Sequence, residues 1–223
     1  MNAAFENERR RLGREPPRRV LVVRLSAIGD VVMAGLVAKA VKRRWPQSRV
    51  TWLAEPAGAA VARANPWVDQ VLVWDKAAWR SHWRAREIRA LLGAARDLRR
   101  ELRRGRFDLV LDLQGLLKSA VPAFLTGAPV RIGLGPREGG RLLMTAGLPR
   151  RGHSRRIGSE YWALAEAIGA PLPREAFAVP LYTAEDRAAA ADTLAERGVD
   201  GPYVVFCPFT TRLQKHWVPG RWA

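Results

Sequence analysis

The 223-residue sequence predicts an α/β fold built on an open parallel sheet, and three observations carry that expectation. Short apolar runs, as at residues 20–23 and 107–113, are of the kind that forms strands buried on both faces. Between them apolar residues recur at three-to-four spacing, as one face of a helix requires. Polar residues then gather just past the runs, where ligands bind in such sheets. The first gathering is Ser26-Ala27-Ile28-Gly29-Asp30, and a later one is Gln114-Gly115-Leu116-Leu117-Lys118.

Taken in order, residues 1–18 are polar and basic and contain Pro16-Pro17, so they are expected to form a disordered lead-in. A strand at 20–23 leads into a helix from Val31 that stops at Trp45-Pro46. A strand at 50–54, an alanine-rich helix at 56–64 and a strand at 71–74 establish the βαβ rhythm. Trp79, His82 and Trp83, with Arg80 and Arg84 interleaved, fit either the start of a surface helix or a stacking and pairing site for an anionic ligand. Ile88, Leu91, Leu92, Ala95, Leu98 and Leu102 mark the buried stripe of a long helix whose arginine run, from Arg96 to Arg104, reads as a solvated face. Strands follow at 107–113 and 130–133, separated by a helix. Residues 134–152 read as a glycine- and arginine-rich loop, 153–168 as a helix, and the prolines at 171, 173 and 180 as an extended connection.

An alanine-rich helix over about 185–197 comes next, and at 203–207 the pattern starts over with a new buried strand. Pro219 is placed as at a first helical turn, just before the sequence stops. A lone strand cannot form a stable sheet, so the pattern is that of a fragment of a protein with two similar domains. The expected division is 1–18 as lead-in, 19–182 as the first domain, and 183–223 as a linker helix and the start of the second.

The first turn lacks the G-x-G-x-x-G spacing with which a dinucleotide fold approaches a pyrophosphate, and Asp30 would repel phosphate there. Two readings of Asp30 stand: a carboxylate favoured by the helix dipole, or a catalytic or substrate-binding acid. The loop from Thr210 to Lys215 offers two hydroxyls, a guanidinium and an ammonium beside a helix start, as a phosphate site does, or else it is a polar βα loop.

The net charge of +17 comes almost wholly from arginine, since there are five lysines (Lys39, Lys42, Lys76, Lys118 and Lys215), and it calls for anionic partners. Nucleic acid, an anionic membrane and a phosphorylated substrate all qualify, but neither an RNA-recognition aromatic pair nor a helix-turn-helix pattern is present. The sequence shows no run of about 18 apolar residues and no secretory signal, which fits a cytosolic protein of bacterial type. Cys207 is the single cysteine, which excludes an intrachain disulfide and argues against a cysteine-based zinc site.

Four stretches, RVLVVRLSAIGDVVMAG, FDLVLDLQGLLKSA, HSRRIGSEYWALAEAIG and VVFCPFTTRLQKHW, resemble those of the lipopolysaccharide heptosyltransferases of glycosyltransferase family 9. They span nearly all of residues 19–223, and the TTRLQKHW string looks more like the heptosyltransferase I branch than the II branch. The resemblance implies a GT-B architecture: an N-terminal Rossmann-like domain that holds the acceptor, and a second such domain, here cut after its first βα unit, that holds the nucleotide sugar.

It further implies inverting transfer of heptose from ADP-heptose to the Kdo-lipid A inner core, with Asp30 as general base. Thr210, Thr211 and Lys215 would hold the donor diphosphate, with no metal and no cofactor. Arg80, Lys118, Arg137, His153 and Arg156 would contact the acceptor. Ala77-Ala78 and Ser81 depart from the family pattern, which carries basic residues there. Such an enzyme works in the cytoplasm, peripherally on the inner face of the membrane, with no nucleic-acid partner and no transmembrane segment. The fragment alone is expected to be inactive. The alternative is a basic domain that binds nucleic acid or an anionic surface without catalysis.

Overall fold

A computed structural model of the chain describes residues 3–152, 157–173, 175–207, 210 and 216–221. The chain divides into two compact units, Met1–Tyr182 and Thr183–Ala223. The first is a three-layer α/β unit whose six strands are all parallel, in the order β3-β2-β1-β4-β5-β6. These are β1 (Arg19–Val23), β2 (Arg49–Ala54), β3 (Gln70–Val73), β4 (Leu109–Asp112), β5 (Val130–Leu134) and β6 (Ala146–Leu148).

The continuous apolar runs dictate this arrangement, because a strand that is apolar on both faces needs helices on both. Val20 and Val22 of β1 point into one core with Val50, Trp52, Leu109 and Leu111, and α2 (Ile28–Arg44), α3 (Pro56–Arg63) and α7 (Ser159–Ala167) cover that face. Leu21 and Val23 point the other way, into a second core with Leu53, Val110, Leu98 and Ala120, covered by α5 (Ile88–Arg104) and α6 (Leu117–Leu125). The short α4 (Lys76–Arg84) is capped by Asp75, whose carboxylate accepts from the N–H groups of Ala77 and Ala78 at 2.9 and 3.2 Å.

Two expectations for this unit are corrected. Residues 3–14, expected to be disordered, form α1 (Ala3–Arg14), which packs against β6. Phe5 and Leu12, seven residues apart and therefore on one helical face, are fully buried in the first core. Residues 134–152, expected to be one loop, hold a 3₁₀ turn at Gly140–Leu143 and then β6. Three residues are too few to show a strand pattern, and what fixes β6 is tertiary: it pairs with β5 from Ile132 to Leu134.

In the second unit α8 (Ala184–Glu196) starts at a reciprocal cap, with Thr183 Oγ1 accepting from Asp186 N at 3.1 Å and Asp186 Oδ2 accepting from Thr183 N at 2.8 Å. The strand expected at 203–207 does not form: those residues have no ladder, and Val204, Val205 and Phe206 are exposed. An apolar run becomes a strand only beside another. A 3₁₀ turn spans Pro219–Arg221.

Candidate active site

In an open parallel sheet the crevice lies at the carboxyl edge where the winding reverses, here between β1 and β4. The two loops that leave those strands are tied together. Arg24, directly after β1, is only 7% exposed, and its Nη1 donates to the carbonyl of Leu113 at 3.0 Å. The N–H of Leu25 donates to Gln114 Oε1 at 2.9 Å. Arg150, from the segment after β6, adds donation to the carbonyls of Leu113 and Gln114 at 2.7 and 2.9 Å and lies 3.6 Å from Glu160.

Asp30 sits on this brace. Its Oδ2 is 2.5 Å from Arg24 Nη2 and accepts from Ala27 N at 3.3 Å, which is the backward half of a cap on the first turn of α2. No contact among the described residues falls on Oδ1, and the side chain is about half exposed. Asp30 therefore has a structural role and, among the described residues, an oxygen without a hydrogen bond or ion pair. Arg24 Nε, buried, has no partner among the described residues. Beneath the pair lies Tyr161 of α7, a buried phenol pushed above its usual range, first by desolvation and then by the Glu160 and Asp30 carboxylates, while Arg24 and Arg150 pull it back.

The β4 loop is built on Asp112. This wholly buried carboxylate accepts at Oδ1 from the N–H groups of Gln114 and Gly115 at 3.0 and 3.2 Å, and at Oδ2 from the Ser119 hydroxyl at 3.0 Å. Burial raises its pKa, against the pull of Gly115, Ser119, Gln114 and Arg150. Gly115 is required where it stands: φ is +70°, and a Cβ would meet the carbonyl oxygens of Leu134 and Gly135 at 2.4 and 2.7 Å.

Lys118 opens α6 at the same edge, half-buried. Burial first, and then the adjacent Lys76 ammonium, hold it below the usual lysine range, with Glu55 and Glu138 opposing. Glu55 is already engaged by Lys76 at 2.6 Å, so the two ammonium groups share too little negative charge. An anion placed there would relieve both.

Of the residues expected to serve the site, Asp30, Arg80, Lys118 and Arg137 all follow carboxyl ends of strands, after β1, β3, β4 and β5. Arg137 is exposed, and its backbone N–H binds the Gly115 carbonyl at 2.8 Å, which sets the β5 loop against the β4 loop. Arg80 lines a shallow surface hollow of about 580 Å³ on α4 with Ala77, Ser81, Arg84 and Ala85. Thr210 belongs to the second unit, where its carbonyl oxygen is 2.7 Å from His216 Nε2. His153, Arg156, Thr211 and Lys215 lie outside the described residues.

The sequence reading placed Gln114 at the ligand edge and missed Arg24, Asp112, Arg150 and Tyr161. For Arg24 and Asp112 a signal existed: each is a charged residue at the last step of a buried run, hence at the ligand edge. Arg150 and Tyr161 reach the site only through the fold.

The sequence profile of glycosyltransferase family 9 (heptosyltransferase) matches residues 95–223. Lipopolysaccharide heptosyltransferase 1 of Pseudomonas aeruginosa is 28% identical over 210 residues, which cover 92% of this chain and 56% of that protein. The Escherichia coli K12 protein of the same name is 29% identical over 210 residues, covering 92% and 62%. The chain thus spans roughly three-fifths of the length of these relatives. Among solved structures, a glycosyl transferase family 9 protein from Veillonella parvula superposes with a TM-score of 0.71 at 19% identity, over 92% of this chain and 58% of that one, which speaks to fold alone. E. coli heptosyltransferase WaaC with ADP-2-deoxy-2-fluoro heptose gives 0.65 at 26% identity, over 92% and 63%.

Proposed function

The chain belongs to glycosyltransferase family 9, the heptosyltransferases, and from that membership we propose that it carries the acceptor side of an enzyme that transfers heptose from ADP-heptose to the Kdo-lipid A inner core of lipopolysaccharide. The observation that carries this reading is Asp30, held by Arg24 at the switch point with one oxygen uncommitted among the described residues. The donor is supported by a solved relative whose ligand is an ADP-heptose analogue. The acceptor is supported by the cationic edge around Lys118 and by the relatives' names.

In the proposed step Asp30 Oδ1 takes the proton of an acceptor hydroxyl as that oxygen attacks the anomeric carbon. The bond from that carbon to the diphosphate breaks with inversion, and ADP leaves. Thr210, Thr211 and Lys215 would meet the charge that develops on the diphosphate, so the step calls for no metal. Lys118 and Arg137, with Arg80, His153 and Arg156, would take the acceptor's carboxylates and phosphates.

The direct test is heptosyl transfer by a chimera in which the remaining length of the E. coli relative follows residue 223. ADP release that depends on both ADP-heptose and Kdo-lipid A supports the proposal. A folded chimera that releases no ADP overturns it. The 223-residue chain by itself is expected to bind acceptor without turnover.

Two substitutions divide the roles. Lys118→Met should weaken acceptor binding about 10-fold or more, the worth of one charge-assisted hydrogen bond. It should leave stability at neutral pH unchanged or higher, because a lysine with a lowered pKa in the folded state costs stability while protonated. Titration with acceptor, alongside urea unfolding, reads both. In the chimera Lys215→Ala should raise KM for ADP-heptose with acceptor affinity unchanged. A change confined to acceptor affinity would remove this loop from the donor site.

A further inference from the structure

Three large apolar side chains stand in water within ten residues of one another: Trp83, 68% exposed, at the end of α4, and Ile88 and Leu92, each 51% exposed, one turn apart on α5. Single exposed apolar residues are ordinary, but this group flanks one tight turn. Arg86 N donates to the Trp83 carbonyl at 3.2 Å and Glu87 N to the His82 carbonyl at 2.9 Å, so Trp83 and Ile88 are held at the tip of a helical hairpin. The hairpin is itself anchored: Trp79 meets Trp74 edge to face at 5.4 Å.

The charge around the tip is one-sided. Residues 76–96 hold six cations, Lys76, Arg80, Arg84, Arg86, Arg89 and Arg96, against the single acid Glu87, which is 2.6 Å from His82 Nδ1. Every residue from 83 to 90 is exposed. An indole and two aliphatic side chains, exposed and interleaved in sequence with exposed arginines, match a bilayer interface, where apolar groups enter the acyl boundary and arginines meet lipid phosphates. Nucleic acid would use the arginines and the indole, but it gives Ile88 and Leu92 nothing to do.

We propose that the α4–α5 hairpin tip, residues 83–92, docks this protein on an anionic lipid bilayer, with Trp83, Ile88 and Leu92 entering the interface. The docking is separate from sugar transfer and from recognition of the acceptor sugars, so vesicles free of lipopolysaccharide test it without reference to the proposed reaction.

The 223-residue chain is sedimented with phosphatidylcholine vesicles, with and without about 30% phosphatidylglycerol. Pelleting above a vesicle-free control at the same salt should occur with the anionic vesicles alone, and fall as salt rises. Trp83→Ala/Ile88→Ser/Leu92→Ser should weaken binding about 10-fold or more, and Arg84→Gln/Arg86→Gln/Arg89→Gln by about fivefold per arginine. All six side chains are exposed, so circular dichroism should show an unchanged fold. Trp83→Phe is expected to keep binding while removing most of the lipid-induced blue shift in fluorescence. The proposal fails if anionic vesicles do not pellet the chain, or if the apolar triple variant binds like the wild type. It also fails if the same variants lose a duplex oligonucleotide and not vesicles, which would assign the patch to nucleic acid.

Discussion

Asp30→Asn in the transfer-competent chimera should lower kcat at least about 100-fold, the usual consequence of removing a general base. The change keeps the size of the side chain and an oxygen for Ala27 N, so the cap on α2 survives in part. What it removes is the charge that pairs with Arg24 at 2.5 Å and the basicity of the free oxygen. A purely structural Asp30 behaves differently: loss of a cap costs about 0.5–2 kcal/mol of stability and leaves turnover near the wild-type rate. Steady-state kinetics with urea unfolding on the same protein separates the two. A folded variant within about threefold of wild-type kcat, with chemistry limiting turnover, would leave the reaction without a base in this unit. The KM for ADP-heptose should barely move, because Asp30 is proposed to touch the acceptor.

The second large effect is on stability, at Asp112. Asp112→Ala would leave the buried N–H groups of Gln114 and Gly115 without their acceptor, while the Ser119 hydroxyl can still donate to the Leu116 carbonyl at 2.8 Å. Two buried donors left unpaired cost about 2–5 kcal/mol, read by urea unfolding. Asp112→Asn should be mild, since one amide oxygen can serve both N–H groups and the amide nitrogen can donate to Ser119 Oγ. The two proteins then diverge with pH. Because burial raises the folded-state pKa of Asp112, its protonated form contributes stability that is fully present below about 3.8 and is lost as pH rises through the raised value. Asparagine titrates nothing, so the variant should gain on the wild type as pH rises from about 4 to 7. A constant gap across that range would mean that Asp112 does not titrate differently on folding.

These two acids show what a sequence can disclose. Asp30 was legible because a short apolar run followed by a helical period locates a strand–turn–helix, and position alone puts the turn at the ligand edge. Asp112 closes an equally plain run, but its meaning lies in three donors brought to it by a left-handed Gly115, a conformation that no periodicity records. Strands β1 to β5 were legible from apolar runs, whereas β6 is specified by its neighbour. In α1 four arginines outweigh Phe5 and Leu12 in composition, yet those two side chains decide the outcome, because burying two large apolar groups on one face offsets the ordering of a short helix. The run at 203–207 reads as a buried strand for the opposite reason: the residues are right, but among the described residues no strand stands beside it.

That run also bears on how the protein behaves in solution. The edges of the main sheet are guarded, β3 by being four residues long and β6 by being three and lying against α1. Among the described residues Tyr203-Val204-Val205-Phe206-Cys207 pairs with no strand, and it is uncharged, rich in β-formers and exposed. The +17 charge on each molecule opposes the approach of two copies of it. Repulsion of that kind reaches about 30 Å at 0.01 M salt but only about 8 Å at physiological ionic strength. Added salt therefore shortens that repulsion while leaving the exposed β-forming run unchanged, so light scattering from the 223-residue chain should rise with salt.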